Sequence, residues 1–312
     1  MNISPLPVRN GVNATRLRLP SNSGFDTVAD YLLHRFGHLD PAEITQRLEN
    51  GEIVATDGTP LNLHTRMDEY QFCWYYRSVP HEDPLPVQYR ILHRDDDLVV
   101  IDKPHFLPTT PGGRFIQETA LVRLRNELTL PELVPIHRLD RATAGVLLFS
   151  ANPATRGAYQ QLFERQEVSK GYQAVAALPA GFKWSGPVVV RNHITKEKGV
   201  LRSVVKDRLA DPVPPNAVSR IELLRANDTH GLFQLTPYTG KTHQLRIHMA
   251  AIGLGIINDP FYPILLDKAP DNFSAPLQLL AQWIGFTDPL SGTPRSFTSS
   301  LQLLHDPANT QP

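Results

Sequence analysis

The chain has 312 residues, and its 31 basic and 31 acidic side chains leave no formal net charge. That length suits one large domain or a large one with a small companion, and 41% apolar residues suffice for a core. The single cysteine, Cys73, excludes an internal disulfide or a cysteine-built zinc site, and the longest apolar runs fall far short of the ~18 residues of a membrane span.

Residues 1–20 lack the apolar stretch of a signal peptide, so a soluble cytoplasmic protein is expected. The neutral total is unevenly spread. Residues 1–95 sum to −3, 96–120 to −2, 121–250 to +8 and 251–312 to −3. The middle stretch is either an anion-binding face or a solvated one.

In chain order, Phe25–Phe36 has apolar residues at helical spacing, with Asp26 or Thr27 to cap it. Pro41–Leu48 reads as a second short helix stopped at Gly51. Two strands, Glu52–Ala55 and Tyr70–Tyr76, follow with a turn at Asp57–Gly58 between them. The polar, proline-rich stretch Ser78–Pro86 reads as a domain boundary, dividing a small domain (1–85) from a large one (86–312).

Leu98–Ile101 and Ala144–Ser150 are short apolar strands. Asn152-Pro153 predicts the start of a helix running to about Arg165, with Ala158, Leu162 and Phe163 inward. Gly171–Leu178 returns as a strand, and Ser219–Leu224 with Leu232–Leu235 forms a hairpin around Asn227–Gly231. A last helix is expected near Thr242, its buried stripe Leu245, Met249 and Ile252. Hairpins mixed with helices indicate an α+β or mixed α/β fold rather than a regular βαβ series.

Three stretches combine charged groups with glycine turns. In Ile136–Gly145, one carboxylate, Asp140, stands among His137, Arg138 and Arg141. Neighbouring cations favour its ionised form, so it is either a nucleophile or base, or the anion of a structural ion-pair turn. In Lys170–Ala174, Tyr172 opens a strand, where its ring either stacks on a nucleobase or packs half-buried. In Thr239–His248, Gly240 permits a tight turn into a helix whose first N–H groups and Lys241 suit a phosphate. Arg246, one turn in, can offer a planar fork to a carboxylate. His243 and His248 are five apart, which is wrong for two metal ligands on one helix face.

Together these stretches resemble the RluA-type pseudouridine synthases. His137-Arg138-Leu139-Asp140-Arg141-x-Thr143-x-Gly145 is similar to the signature around that family's catalytic aspartate, Lys170-x-Tyr172-x-Ala174 to its second motif, and Thr239–His248 to its third. Asp95–Pro104 and Leu279–Pro289 with Phe297 extend the likeness over about residues 88–300. The departures are Ala144 for serine, Lys241 for arginine, Asn258 for glycine, and His105-Phe106 for a small pair. Residues 1–80 faintly resemble an S4-like RNA-binding module through Ile44–Gly58, with Arg47 as a candidate RNA contact.

The resemblance implies a catalytic domain with a largely antiparallel mixed sheet flanked by helices and loops, beside a small N-terminal α/β domain. It also implies isomerisation of uridine in structured RNA, ribosomal or transfer, without cofactor or metal. Asp140 would act at the sugar or base, Arg246 would pair with Asp140, and Tyr172 would stack on the uracil and take the C5 proton. His137, Arg138, Arg141, Lys170, Lys241 and His243 would face the RNA. The expected form is a monomer. The alternative is an RNA-binding protein of the same fold that has lost catalysis.

Overall fold

A computed structural model describes residues 4–37, 40–77, 82–197, 199–200, 202–206, 213–267 and 269–309. Contacts divide the chain into two compact units. The first comprises 1–83, 113–117 and 122–131, and the second the remainder. Of the expected boundary Ser78–Pro86, residues 78–81 lie outside the described residues. The two later segments of the first unit belong to a stretch that the sequence reading gave wholly to the large domain.

The first unit contains β1 (Thr15–Arg18), α1 (Val28–Phe36), α2 (Pro41–Glu49), β2 (Val54–Ala55) and β3 (Phe72–Tyr75). Thr27 caps α1 by accepting the Asp30 N–H at 3.1 Å, and Asp40 caps α2 with Pro41 behind it. The three strands pair antiparallel with β3 in the middle, and β1 is the strand that the sequence reading missed. Val28, Leu32, Leu48, Leu61 and Cys73 fill the core between helices and sheet.

The second unit is built on β4 (Arg90–Arg94) and β5 (Leu98–Lys103). Next come α3 (Ala120–Leu128), whose C-terminal part belongs to the first unit, β6 (Val134–Pro135), β7 (Ala144–Ser150) and α4 (Arg156–Glu164). Then follow β8 (Ser169–Ala177), β9 (Val188–Asn192), β10 (Ile194–Thr195), β11 (Val204–Val205), β12 (Ala217–Ala226) and β13 (His230–Pro237). The series ends with α5 (Gln244–Ala251), β14 (Leu279–Thr287) and β15 (Pro294–Thr298). The large sheet runs β4-β5-β7-β14-β8-β13-β12-β9, with β15 on β14 and β6 on β7. Only the β7–β14 pairing is parallel, so the sheet is mixed but mostly antiparallel.

Side chains alternate across this sheet. Ala174, Ala176, Phe233 and Leu235 meet Leu245 and Met249 of α5 in one cluster, while Val175, Leu232 and Leu280 gather with Ala144 and Leu303 in another. The helix after Asn152-Pro153 starts later than expected. Asn152 instead accepts the Ala154 N–H in a turn, and Tyr159 rather than Ala158 is the buried anchor beside Leu162. Among the described residues, no helix is long and apolar enough to cross a membrane.

The β7–β14 junction sets the level of the site. Ala281 of β14 lies opposite Gly145 of β7 on one side and Tyr172 of β8 on the other. Gly145 has φ +113°, and a Cβ there would sit 2.2 Å from the Ala281 carbonyl oxygen. Backbone strain and steric overlap then act together, so Gly145→Ala is expected to cost about 3 kcal/mol or more of stability. Urea unfolding checks it. A midpoint equal to that of the wild type would show that the sheet yields at this point.

Candidate active site

Asp140 stands at the entrance to β7, in a turn that the Thr143 N–H closes onto the Asp140 carbonyl at 3.1 Å. The segment after β5 clamps that turn. Lys103 is fully buried and donates from Nζ to the carbonyls of Pro104 (2.9 Å), Leu107 (2.8 Å) and Arg141 (3.3 Å), which uses all three of its N–H groups. Thr109 donates to the Leu139 carbonyl at 2.8 Å and accepts the Leu139 N–H at 3.2 Å. His105 donates through Nδ1 to the Ala142 carbonyl at 2.7 Å. The backbone is thereby held on both sides of Asp140, whose side chain stays 28% exposed.

The unusual His105-Phe106 pair therefore has a structural use. His105 ties the loop, and Phe106, in a left-handed conformation, lies beneath the Arg141 guanidinium and against Phe273. Burial pulls the Lys103 ammonium down to about 7, opposed by the Asp140 carboxylate and reinforced by Arg141.

The opposite wall is α5. It begins at Gln244 because His243 takes φ +61°, so Arg246 falls in the first turn rather than one turn in. Gln244 also accepts the Lys241 N–H at 3.0 Å, which removes one of the N–H groups expected to be open to a phosphate. Arg246 brings Nη1 to 3.8 Å from Asp140 Oδ2, but its two-point grip is on another carboxylate. Nε donates to Asp259 Oδ2 at 2.8 Å and Nη2 to Oδ1 at 2.5 Å, with both side chains buried. The planar fork expected of Arg246 is thus taken by Asp259, while the expected pairing with Asp140 is made by the remaining nitrogen. Asp259 holds the arginine rigid, and a third nitrogen faces Asp140.

His243 completes this side, with Nε2 at 3.7 Å from Asp140 Oδ2. Tyr262 spends its hydroxyl hydrogen on the Ser203 carbonyl at 2.8 Å, so His243 Nδ1, 3.0 Å away, is the donor to the Tyr262 oxygen. Burial lowers the His243 pKa, while Asp140 works against that shift. Tyr172 approaches from β8. Burial first, and then the Asp140 carboxylate, push its hydroxyl well above the ordinary tyrosine value, so the phenol stays protonated.

Asp140, Tyr172, His243 and Arg246 are brought together, and Arg138 and Lys241 are exposed. The remaining expected RNA contacts are occupied otherwise. His137 accepts the Leu148 N–H at 3.2 Å and stacks on Phe163, and burial lowers its pKa to about 3, so it is a neutral packing group. Lys170 lies over the same Phe163 ring at 5.1 Å. Arg141 forms a bidentate pair with Asp271. In the first unit, Arg47 reaches Glu43 (3.6 Å), Glu52 (3.4 Å) and the Tyr76 carbonyl.

Residues 97–251 match the RNA pseudouridylate synthase family. The chain is 30% identical over 236 residues to an uncharacterized RNA pseudouridine synthase of Synechocystis, an alignment taking in 75% of this chain and 78% of that protein. The chain belongs to the RNA pseudouridine synthase family. This synthase is also 31% identical to the dual-specificity RNA pseudouridine synthase RluA of Pasteurella multocida, over 67% of this chain and 91% of that one. Among solved structures, human RNA Pseudouridylate Synthase Domain Containing 4 superposes with a TM-score of 0.52 at 25% identity, covering 68% of this chain and 88% of that one. The family match does not extend to residues 1–96.

Asp259 and Lys103 hold the groups around Asp140 in place, and sequence reasoning did not single them out. Lys103 carried a signal, since a lysine ending an apolar strand just before proline has no reason to be buried unless it is fully bonded. Asp259 carried little, because an Asp-Pro pair reads first as a turn.

Proposed function

We propose that this synthase converts uridine in RNA to pseudouridine with Asp140 as its catalytic carboxylate. The observation that carries the reading is the chain Asp259–Arg246–Asp140, in which a buried ion pair presents its spare nitrogen to a carboxylate left open to a ligand. A fold that only bound RNA would gain nothing from holding an anion at the centre of its cleft.

In the reaction the N1–C1′ bond breaks, the uracil turns, C5 bonds to C1′, and the proton lost from C5 is balanced by one taken up at N1. Asp140 acts by attack at C1′, by attack on the base, or by promoting elimination from the sugar. Arg246 holds Asp140 in position, as preorganised charge should. Tyr172 supplies a stacking shelf for the loosened uracil; its protonated hydroxyl suits a hydrogen-bond donor better than a resting base. The target uridine leaves its stack to reach this site, with exposed Arg138 and Lys241 available to phosphates. The proposal includes ribosomal or transfer RNA as carrier, a monomeric enzyme and a cytoplasmic location.

Incubation with total RNA followed by pseudouridine mapping tests the reading, and new pseudouridine at discrete positions is the expected result. A chain that binds RNA yet modifies none would identify the inactive alternative. Arg246→Lys sharpens the test, because an ammonium cannot keep a two-point hold on Asp259 while also facing Asp140. The single-turnover rate should fall about 100-fold, or roughly 3 kcal/mol of barrier. An unaltered rate would reduce Arg246 to a packing role.

A further inference from the structure

Asp259 does more than grip Arg246. Its Oδ1 also accepts the N–H groups of Phe261 (2.8 Å) and Tyr262 (3.1 Å), turning the chain sharply away from the site. The Leu266 N–H then closes the loop onto the Pro260 carbonyl at 2.9 Å. Inside this loop the rings of Phe261 and Tyr262 lie under Arg246 and beside His243, the two groups that face Asp140. Its outer part is unlike them. Ile264, Leu265 and Leu266 are 71%, 49% and 59% exposed, three consecutive large aliphatic side chains left in water.

Exposed aliphatic residues scattered singly need no explanation, but a consecutive run does. This run is anchored to the catalytic cleft by the carboxylate that fixes Arg246. It adjoins one cation, Arg202, and is followed directly by the exposed carboxylate Asp267. Arg202 donates to the Pro263 carbonyl at 3.3 Å and lies over the Tyr262 ring at 4.8 Å, and Lys241 is exposed two residues before His243. An apolar tip beside an arginine, on the loop that adjoins the RNA-modifying cleft, complements a nucleic acid: the bases meet the aliphatic groups and a backbone phosphate meets the guanidinium.

We propose that the Ile264–Leu266 tip is a wedge that enters the base stack of a folded RNA next to the target uridine and fills the gap when that uridine turns into the Asp140 site. Aliphatic side chains inserted at a base step offset part of the cost of unstacking it. The wedge would therefore matter for a stacked uridine and little for one already unpaired. This rests on the pseudouridine synthase reading above.

The test uses the full chain, the Ile264→Ser/Leu265→Ser double variant, and two RNAs bearing the uridine mapped in the experiment above. One is its stem-loop with 2-aminopurine beside the uridine, and the other an unpaired pentamer of the same sequence. The substituted side chains are exposed, and the loop-closing backbone bond is kept, so folding should persist; circular dichroism and size exclusion confirm it. The variant's loss of single-turnover rate on the stem-loop should exceed its loss on the pentamer by about tenfold or more. The 2-aminopurine fluorescence rise on wild-type binding should shrink in step. Equal losses on the two RNAs, or none on either, would overturn the wedge while leaving the synthase reading intact. A wild type that elutes as a dimer, dissociated by the variant with unchanged rates, would assign the tip to a second copy of the chain. A wild type that modifies no RNA would overturn both readings together.

Discussion

Asparagine at position 140 is expected to abolish pseudouridine formation while the protein still folds and binds RNA. The substitution keeps the size of the side chain and leaves the Thr143 N–H bond to the Asp140 carbonyl untouched. The clamps from Lys103, Thr109 and His105 all reach neighbouring backbone, not this carboxylate. What is lost is the anion that Arg246 and His243 face at 3.8 and 3.7 Å. A neutral amide can neither attack carbon nor draw a proton from the sugar, so the single-turnover rate should drop by at least ~1,000-fold, about 4 kcal/mol. Retention of activity within about tenfold, roughly 1.4 kcal/mol, would remove Asp140 from the chemistry.

Asp259→Asn should be the most damaging change outside Asp140, and it should act on stability as well as rate. Both members of the Asp259–Arg246 pair are buried, so neutralising one leaves an uncompensated guanidinium in the interior. Breaking such a pair typically costs about 3–5 kcal/mol. Oδ1 also orders the turn at Phe261 and Tyr262, and an amide nitrogen in its place could accept neither N–H. The expected outcome is a lowered urea midpoint together with a rate loss at least as large as that of Arg246→Lys. Denaturation and single-turnover assays on the same preparation separate the two effects. Wild-type stability with wild-type turnover would show that the grip on Arg246 is dispensable.

How much was legible beforehand depended on whether a residue's partner was local. Ala144–Ser150 could be read to the residue, because a strand buried on both faces leaves an unbroken apolar run. Thr27 was visible as a cap because the N–H group it bonds lies three positions on. The start of α4 was misplaced because Asn152-Pro153 satisfies the same local rule and Asn152 does accept the Ala154 N–H, yet the residues it caps form a turn and the helix begins only at Arg156. The Asp259–Arg246 grip spans 13 positions and Lys103 to Arg141 spans 38, distances over which no periodicity connects the partners. Arg141 and Lys170 were read as facing RNA because Asp271 and Phe163 could not be assigned to them without the fold, whereas Glu43, one helical turn before Arg47, was within reach of the sequence.

The placement of β14 has a consequence for how the enzyme comes into being. β7 and β8 are neighbours in the chain, yet they are separated in the sheet by β14, which follows β8 only after five further strands and a helix. While a ribosome is still making those elements, the two strands that carry Gly145 and Tyr172 have a gap between them. Asp140 and Tyr172 then cannot be brought to a common level. Such late, long-range pairing makes for slow folding and leaves exposed strand edges in need of protection during synthesis. A nascent chain that still lacks β14 is therefore expected to be inert toward RNA.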